Sequence, residues 1–139
     1  GAPRPRGQAS ALQDARLAPG ARLRVAQGPA IGGYIGSGLR ADLPGSIHAP
    51  LRAWLLLVER LPAGTEGSPV DRLLVRNAQV FDWPSRAPPA LGRRVHVESR
   101  PLNVPEGARP ERLRLLAWVE DTSGRVLARA LTPCAATGL

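Results

Sequence analysis

The stretch "RLRLLAWVEDTSGRVLARAL", residues 112–131, decides how this chain folds. It reads as two extended runs around "DTSG", with side chains alternating in character at a period of two. Asp, Ser and Gly favour turns, so "DTSG" serves as a four-residue hairpin loop. In that register Glu120 faces Arg125. Behind that pair come Val119 with Val126, Trp118 with Leu127, Ala117 with Ala128, Leu116 with Arg129 and Leu115 with Ala130. The small and aliphatic pairs share one face, and a slip of one residue would bury arginines. The other face carries Trp118, Leu116 and Leu127, rimmed by Arg114 and Arg129. An aromatic anchor with guanidinium donors at a polar edge is how a peptide-binding surface is composed, and these five residues are the candidate partner contacts. The competing reading is a face covered by another strand or a loop, where the same side chains form a second layer of core.

The same rhythm extends upstream to residue 51, in short apolar segments broken by Pro and Gly. "LRAWLLLVERL" (51–61) has a continuous apolar centre, which suits an interior strand covered on both faces. "DRLLVRNAQVF" (71–81) reads as the next strand, after the turn "PAGTEGSP". "FDWPSRAPPALG" (81–92) reads as a loop, because Pro84, Pro88 and Pro89 cannot donate to a ladder. In "RRVHVES" (93–99), Val95 and Val97 alternate with Arg94, His96 and Glu98. The fold class is therefore all-β, a compact β-sandwich of mainly antiparallel strands. A sandwich domain is expected over 23–139, preceded over 1–22 by a flexible Pro/Arg-rich tether. Ser10 could cap a short helical turn over Leu12–Leu17. "GPAIGGYIGSGL" (28–39) is rich in glycine but fits no phosphate-binding pattern, and reads as a flexible or bulged segment around Tyr34 and Ile35.

The 19 basic residues are all arginine, the net charge is +8 and the pI about 11.6. Such a balance favours acidic partners, whether nucleic acid, anionic lipid or protein. The arginines are scattered, with no run longer than Arg93–Arg94, and this argues against nucleic acid, which expects a clustered stripe. A basic β-domain for nucleic acid or another acidic partner stays the alternative, with Trp54, Trp83 and Trp118 as its stacking residues. The longest apolar run, Ala53–Val58, is far short of the roughly 20 residues that cross a bilayer. With no Met in the sequence, residue 1 is not read as a translation start.

No catalytic motif emerges. The single cysteine, Cys134, allows neither an internal disulfide nor a cysteine-based metal site. His48 falls in a turn and His96 on the polar side of a strand, too few for zinc without carboxylate help. Glu120 and Asp121 are neighbours at a loop rather than a pair facing across a cleft. No enzyme, cofactor or metal is expected.

The layout of "VHVESRPLNVPEGARPERLRLLAWVEDTSGRVLARAL", preceded by "LRAWLLLVERLPAGTE", resembles the YscW/ExsB (YbaY-like) family, the type III secretion pilotin lipoproteins. The likeness covers residues 51–131 and lies in strand rhythm and turn placement. It implies a periplasmic β-sandwich, held by lipid at the inner leaflet of the outer membrane, that helps a secretin subunit reach and assemble in that membrane. The partner segment would be the C-terminal end of the secretin. The family carries its lipid on a cysteine at the mature N-terminus. Cys134 lies near the other end, so the lipid-bearing cysteine is expected upstream of residue 1.

Overall fold

The computed structural model describes residues 17–64, 70–86 and 92–132. Its strands are β1 (Arg22–Ile31), β2 (Tyr34–Pro44), β3 (Leu51–Leu61), β4 (Arg72–Trp83), β5 (Arg93–Asn103), β6 (Leu113–Asp121) and β7 (Val126–Leu131), and a 3-10 turn precedes β6 at Pro110–Arg112. They form two antiparallel sheets, ordered β1-β2-β5 and β4-β3-β6-β7. The chain is an all-β sandwich, as its alternation requires. Leu39, Ala41 and Leu43 of β2 face Leu51, Ala53, Leu55 and Leu57 of β3 and Leu113, Leu115, Ala117 and Val119 of β6 in one buried cluster. β1 lies over β6 and β7. There the Gln27 amide donates to the Leu113 carbonyl at 3.0 Å, and the Thr132 hydroxyl donates to Gln27 Oε1 at 2.7 Å.

The glycine-rich segment is a hairpin. Gly32 and Gly33 form its two-residue loop between paired Ile31 and Tyr34, with φ of +61° and +83°. Side chains avoid that region, and two such residues in succession match the twist of the flanking strands. A Cβ on Gly33 would touch nothing within 4 Å, so the strain is in the backbone alone. Gly33→Ala is expected to cost about 1 kcal/mol of stability, read from a urea unfolding curve. No bulge falls at Tyr34 and Ile35, which pair regularly on both sides; the irregularity is in β1, between Gln27 and Ala30, where Pro29 has no N–H to place.

Folded structure reaches back before residue 23. Ala18 packs into the core and its N–H donates to the Leu127 carbonyl at 3.1 Å, and β1 begins at Arg22. Of the tether expected over 1–22, residues 1–16 lie outside the described residues, and with them all but Leu17 of the helical turn expected over Leu12–Leu17. The expected loop at 81–92 also begins later. Phe81 and Trp83 complete β4 and are buried at 6% and 4% exposure.

The hairpin of β6 and β7 is present in a different register. Asp121 N–H donates to the Arg125 carbonyl and Gly124 N–H to the Asp121 carbonyl, leaving a loop of Thr122, Ser123 and Gly124 with Gly124 at φ +88°. Asp121 remains in the ladder and its Oδ1 accepts from the amides of Ser123 and Arg125. A bulge follows, because Glu120 pairs with Val126 while Val119 pairs with Ala128. Leu127 is the extra residue, and it turns into the core at 4% exposure. It is therefore not beside Trp118 on the outer face. Beyond the bulge Ala117 stands opposite Ala130, Trp118 opposite Arg129 and Leu116 opposite Leu131. From Ala128 onward the partners have moved by two residues, an even number, so those residues keep their side of the sheet, whereas Val126, moved by one, stands opposite Glu120 instead of Val119.

Strand β5 shows the sharpest contrast between pattern and placement. Its alternation is as expected, but Arg94, His96 and Glu98 point between the sheets while Val97 is 63% exposed. Pairing dictates this. Leu43, Ala41 and Leu39, inward residues of β2, stand opposite Arg94, His96 and Glu98. β5 is the edge of its sheet, which also lets Pro101 sit within it. β4 is an edge too, and Leu73, Leu74 and Val75 on it are 55%, 40% and 53% exposed.

Candidate functional site

The outer face of β4-β3-β6-β7 is built from cross-strand rows. One runs Val80, Trp54, Trp118, Arg129, the next Ala78, Leu56, Leu116, Leu131, and a third Asp82, Arg52, Glu120. Directly opposite side chains in a sheet are close enough to pack, so each row is a contact line. The Trp54 and Trp118 rings stack with centroids 5.9 Å apart and planes at 21°. Both are half-buried, as are Leu56, Leu116 and Arg129, whereas Val80 and Leu131 are 42% and 44% exposed. Trp118 Nε1–H donates to Glu120 Oε1 at 2.8 Å, and Arg52 Nε–H to Asp82 Oδ1 at 2.8 Å. Trp118 is thus oriented from the charged row.

Three of the five expected contact residues, Trp118, Leu116 and Arg129, come together on this face. Leu127 is in the core. Arg114 has the outward parity but stands opposite Val58 with only 8% exposure, at the covered end of the sheet, so it offers no open donor to a partner. Trp54 belongs to the site although its apolar surroundings placed it in a strand covered on both faces. The signal was Arg52 two positions earlier on the same side, since residues i and i+2 of a strand share a face.

Beyond the charged row lies a cleft of about 450 Å³ lined by Arg52, Asp82, Trp83, Glu120 and Asp121, among others. Its carboxylates are mostly committed. Asp82 holds Arg52, and Asp121 accepts from the Ser123 hydroxyl at 2.7 Å and from two loop amides. The Ser123 hydroxyl, more than the amides, holds the Asp121 carboxyl below the usual carboxylate range.

A second polar cluster sits inside the flank between β5 and β4. Arg94, with 0% exposure, donates from Nη1 to the carbonyls of Ile47 and Ala49 at 2.9 and 2.7 Å, and from Nη2 to that of Pro84 at 3.1 Å. Its Nε–H donates to His96 Nε2 at 2.9 Å. His96 must therefore be neutral, with its proton on Nδ1. The imidazole lies flat on Trp83, centroids 4.0 Å apart and planes at 4°, and Trp83 Nε1–H donates to Glu98 Oε2 at 3.0 Å. Burial, reinforced by the charges of Arg94 and Arg86, pushes the His96 pKa down to about 4. An imidazole that accepts from a guanidinium and cannot take a proton near neutrality is a poor general base. The cluster clamps the loop between β2 and β3. Among the described residues no group of three or more His, Asp or Glu side chains could hold a metal ion, and no helix is long and apolar enough to cross a membrane.

No family model and no curated protein matches the chain. Among solved structures it is similar to part of a Bacteroides uniformis β-glucuronidase, with 10% identity and a TM-score of 0.45. It is also similar to part of a calcium-binding mutant of β-glucuronidase 2 from the same organism, with 10% identity and a TM-score of 0.46. In both, 82% of this chain is covered, and the chain spans about 14% of the length of the other.

Proposed function

We propose that this domain is a partner-binding module rather than an enzyme. It takes an extended apolar segment of another protein on the outer face of β4-β3-β6-β7. Following the family resemblance in its sequence, the partner is the C-terminal segment of a type III secretin. The domain then acts as a pilotin lipoprotein at the periplasmic face of the outer membrane, held there by a lipid anchor. The observation that carries the binding reading is the Trp54–Trp118 stack, half open to solvent and bordered by Leu116, Leu131 and Arg129. Aromatic residues ringed by aliphatic side chains, with an arginine at the edge, are the composition of binding hot spots.

Titration of a secretin C-terminal peptide separates the two layers of this reading. The native chain should bind it, and Trp118→Ala should bind roughly tenfold more weakly, since the indole is already partly covered before a partner arrives. Equal affinity of the two proteins removes the face. Absence of binding to the native chain removes the secretin as partner.

A further inference from the structure

We propose that the outer face of the other sheet, β1-β2-β5, is a docking surface for an anionic phospholipid bilayer. Scattered in sequence, the arginines converge here through strand pairing. Arg24 stands opposite Arg40, and Arg22 opposite Asp42. Arg93 lies beside them and binds Asp42 at 2.6 Å. Arg22, Arg24 and Arg40 are exposed and have no carboxylate within 4 Å among the described residues. Asp42 is the one acidic side chain among the residues paired across this end of the face, so four guanidinium groups meet a single carboxylate.

The same face carries the two most exposed large apolar side chains of the described residues, Ile31 and Val97, together with Tyr34. Ile31 and Tyr34, at 71% and 50%, flank the Gly32–Gly33 loop, and Val97, at 63%, stands opposite Arg40 on β5. Tyr34 and Arg40 are both even-numbered positions of β2 and so share a side. Between them stand Gly36 and Gly38, opposite Pro101 and Ser99 of β5. Cations together with an exposed aromatic and aliphatic rim match the headgroup zone of a bilayer, where phosphates and a shallow apolar layer are both within reach. A nucleic acid is the poorer fit. Base stacking requires aromatics interleaved with the cations, whereas Tyr34 is six residues along β2 from Arg40, about 20 Å away. This face is opposite the Trp54–Trp118 face, so the inference stands whether or not that surface binds a peptide.

Co-sedimentation of the full chain with vesicles of phosphatidylethanolamine and phosphatidylglycerol tests it, with phosphatidylcholine vesicles and a duplex oligonucleotide as comparison arms. Binding should be confined to the anionic vesicles and weaken as salt is raised. Arg24→Gln with Arg40→Gln should lower vesicle affinity roughly 25-fold, at about fivefold per arginine. Ile31→Ser with Tyr34→Ser should weaken it at every salt concentration. All four positions are exposed, and unfolding curves of the variants establish that they fold. Equal binding to phosphatidylcholine, unchanged binding by the arginine variant, or tighter binding to the oligonucleotide would each overturn the proposal.

Discussion

Replacing Arg94 with methionine is expected to lower the unfolding free energy by about 3 kcal/mol, a large part of the 5–15 kcal/mol that holds a domain together. Methionine fills much of the volume and spares the cost of burying a charge, so part of the loss is offset. What it cannot do is satisfy the acceptors. The carbonyls of Ile47, Ala49 and Pro84 and the Nε2 of His96 are left without their donor. Buried acceptors in that state cost on the order of 1–3 kcal/mol each where water cannot reach them. Arg94→Lys should fail as well, because one ammonium cannot span acceptors that a planar fork reaches together. Urea unfolding of the native chain and both variants gives the numbers. A methionine variant within about 0.5 kcal/mol of the native chain would mean that the loop between β2 and β3 is held by something else.

Acidification below about pH 6.5 should destabilise the domain through His96. In the unfolded chain the imidazole takes a proton near its ordinary pKa of 6.5, whereas in the fold it does so only at about 4. Between those values the unfolded state binds more protons, so stability falls as pH falls. The contribution is complete above about pH 6.5 and exhausted below about pH 4, and amounts to about 2 kcal/mol after allowance for partial solvent access. The cause is visible in the contacts. A protonated Nε2 would turn an N–H toward the Nε–H of Arg94 and set two cations against each other, with Arg86 adding a third positive charge. Glu98, the nearby acid, is engaged with Trp83 and Arg100. His96→Gln keeps an acceptor for Arg94 and cannot titrate. Its unfolding free energy should therefore be nearly level from about pH 6.5 to about pH 5, above the range where carboxyls held low in the fold, such as Asp121, add their own decline, and a parallel decline of both proteins over that range would remove His96 as the cause.

Sequence alone carried the fold class and the outward direction of Trp118, Leu116 and Arg129, for the reason that period-two alternation reports side-chain direction one residue at a time. It did not report which direction is inside. In β5 the polar set faces inward, because the hydrogen bonds that make this tolerable come from Trp83 and from the carbonyls at 47, 49 and 84, all distant in sequence. Trp54 was hidden for a related reason. A run such as "AWLLLV" contains both faces of a strand, and only the charged Arg52 marks which one meets solvent. Arg114 fails in the opposite sense, as an arginine at an outward position that is covered. Register was beyond reach because a bulge leaves no compositional trace. Nothing in "GRVLARAL" distinguishes Leu127 as the residue that is skipped.

That skipped leucine also constrains how the hairpin can vary in length. The loop is one residue shorter than its composition suggests and the ladder one residue longer, and the bulge restores the phase that a lone change would have broken. Odd-numbered insertions or deletions between Asp121 and Ala128 therefore exchange interior for exterior along the whole of β7, sending Arg129 toward the leucines and Ala128 toward water. Changes in pairs, or single changes matched by a second kink, leave both surfaces as they are.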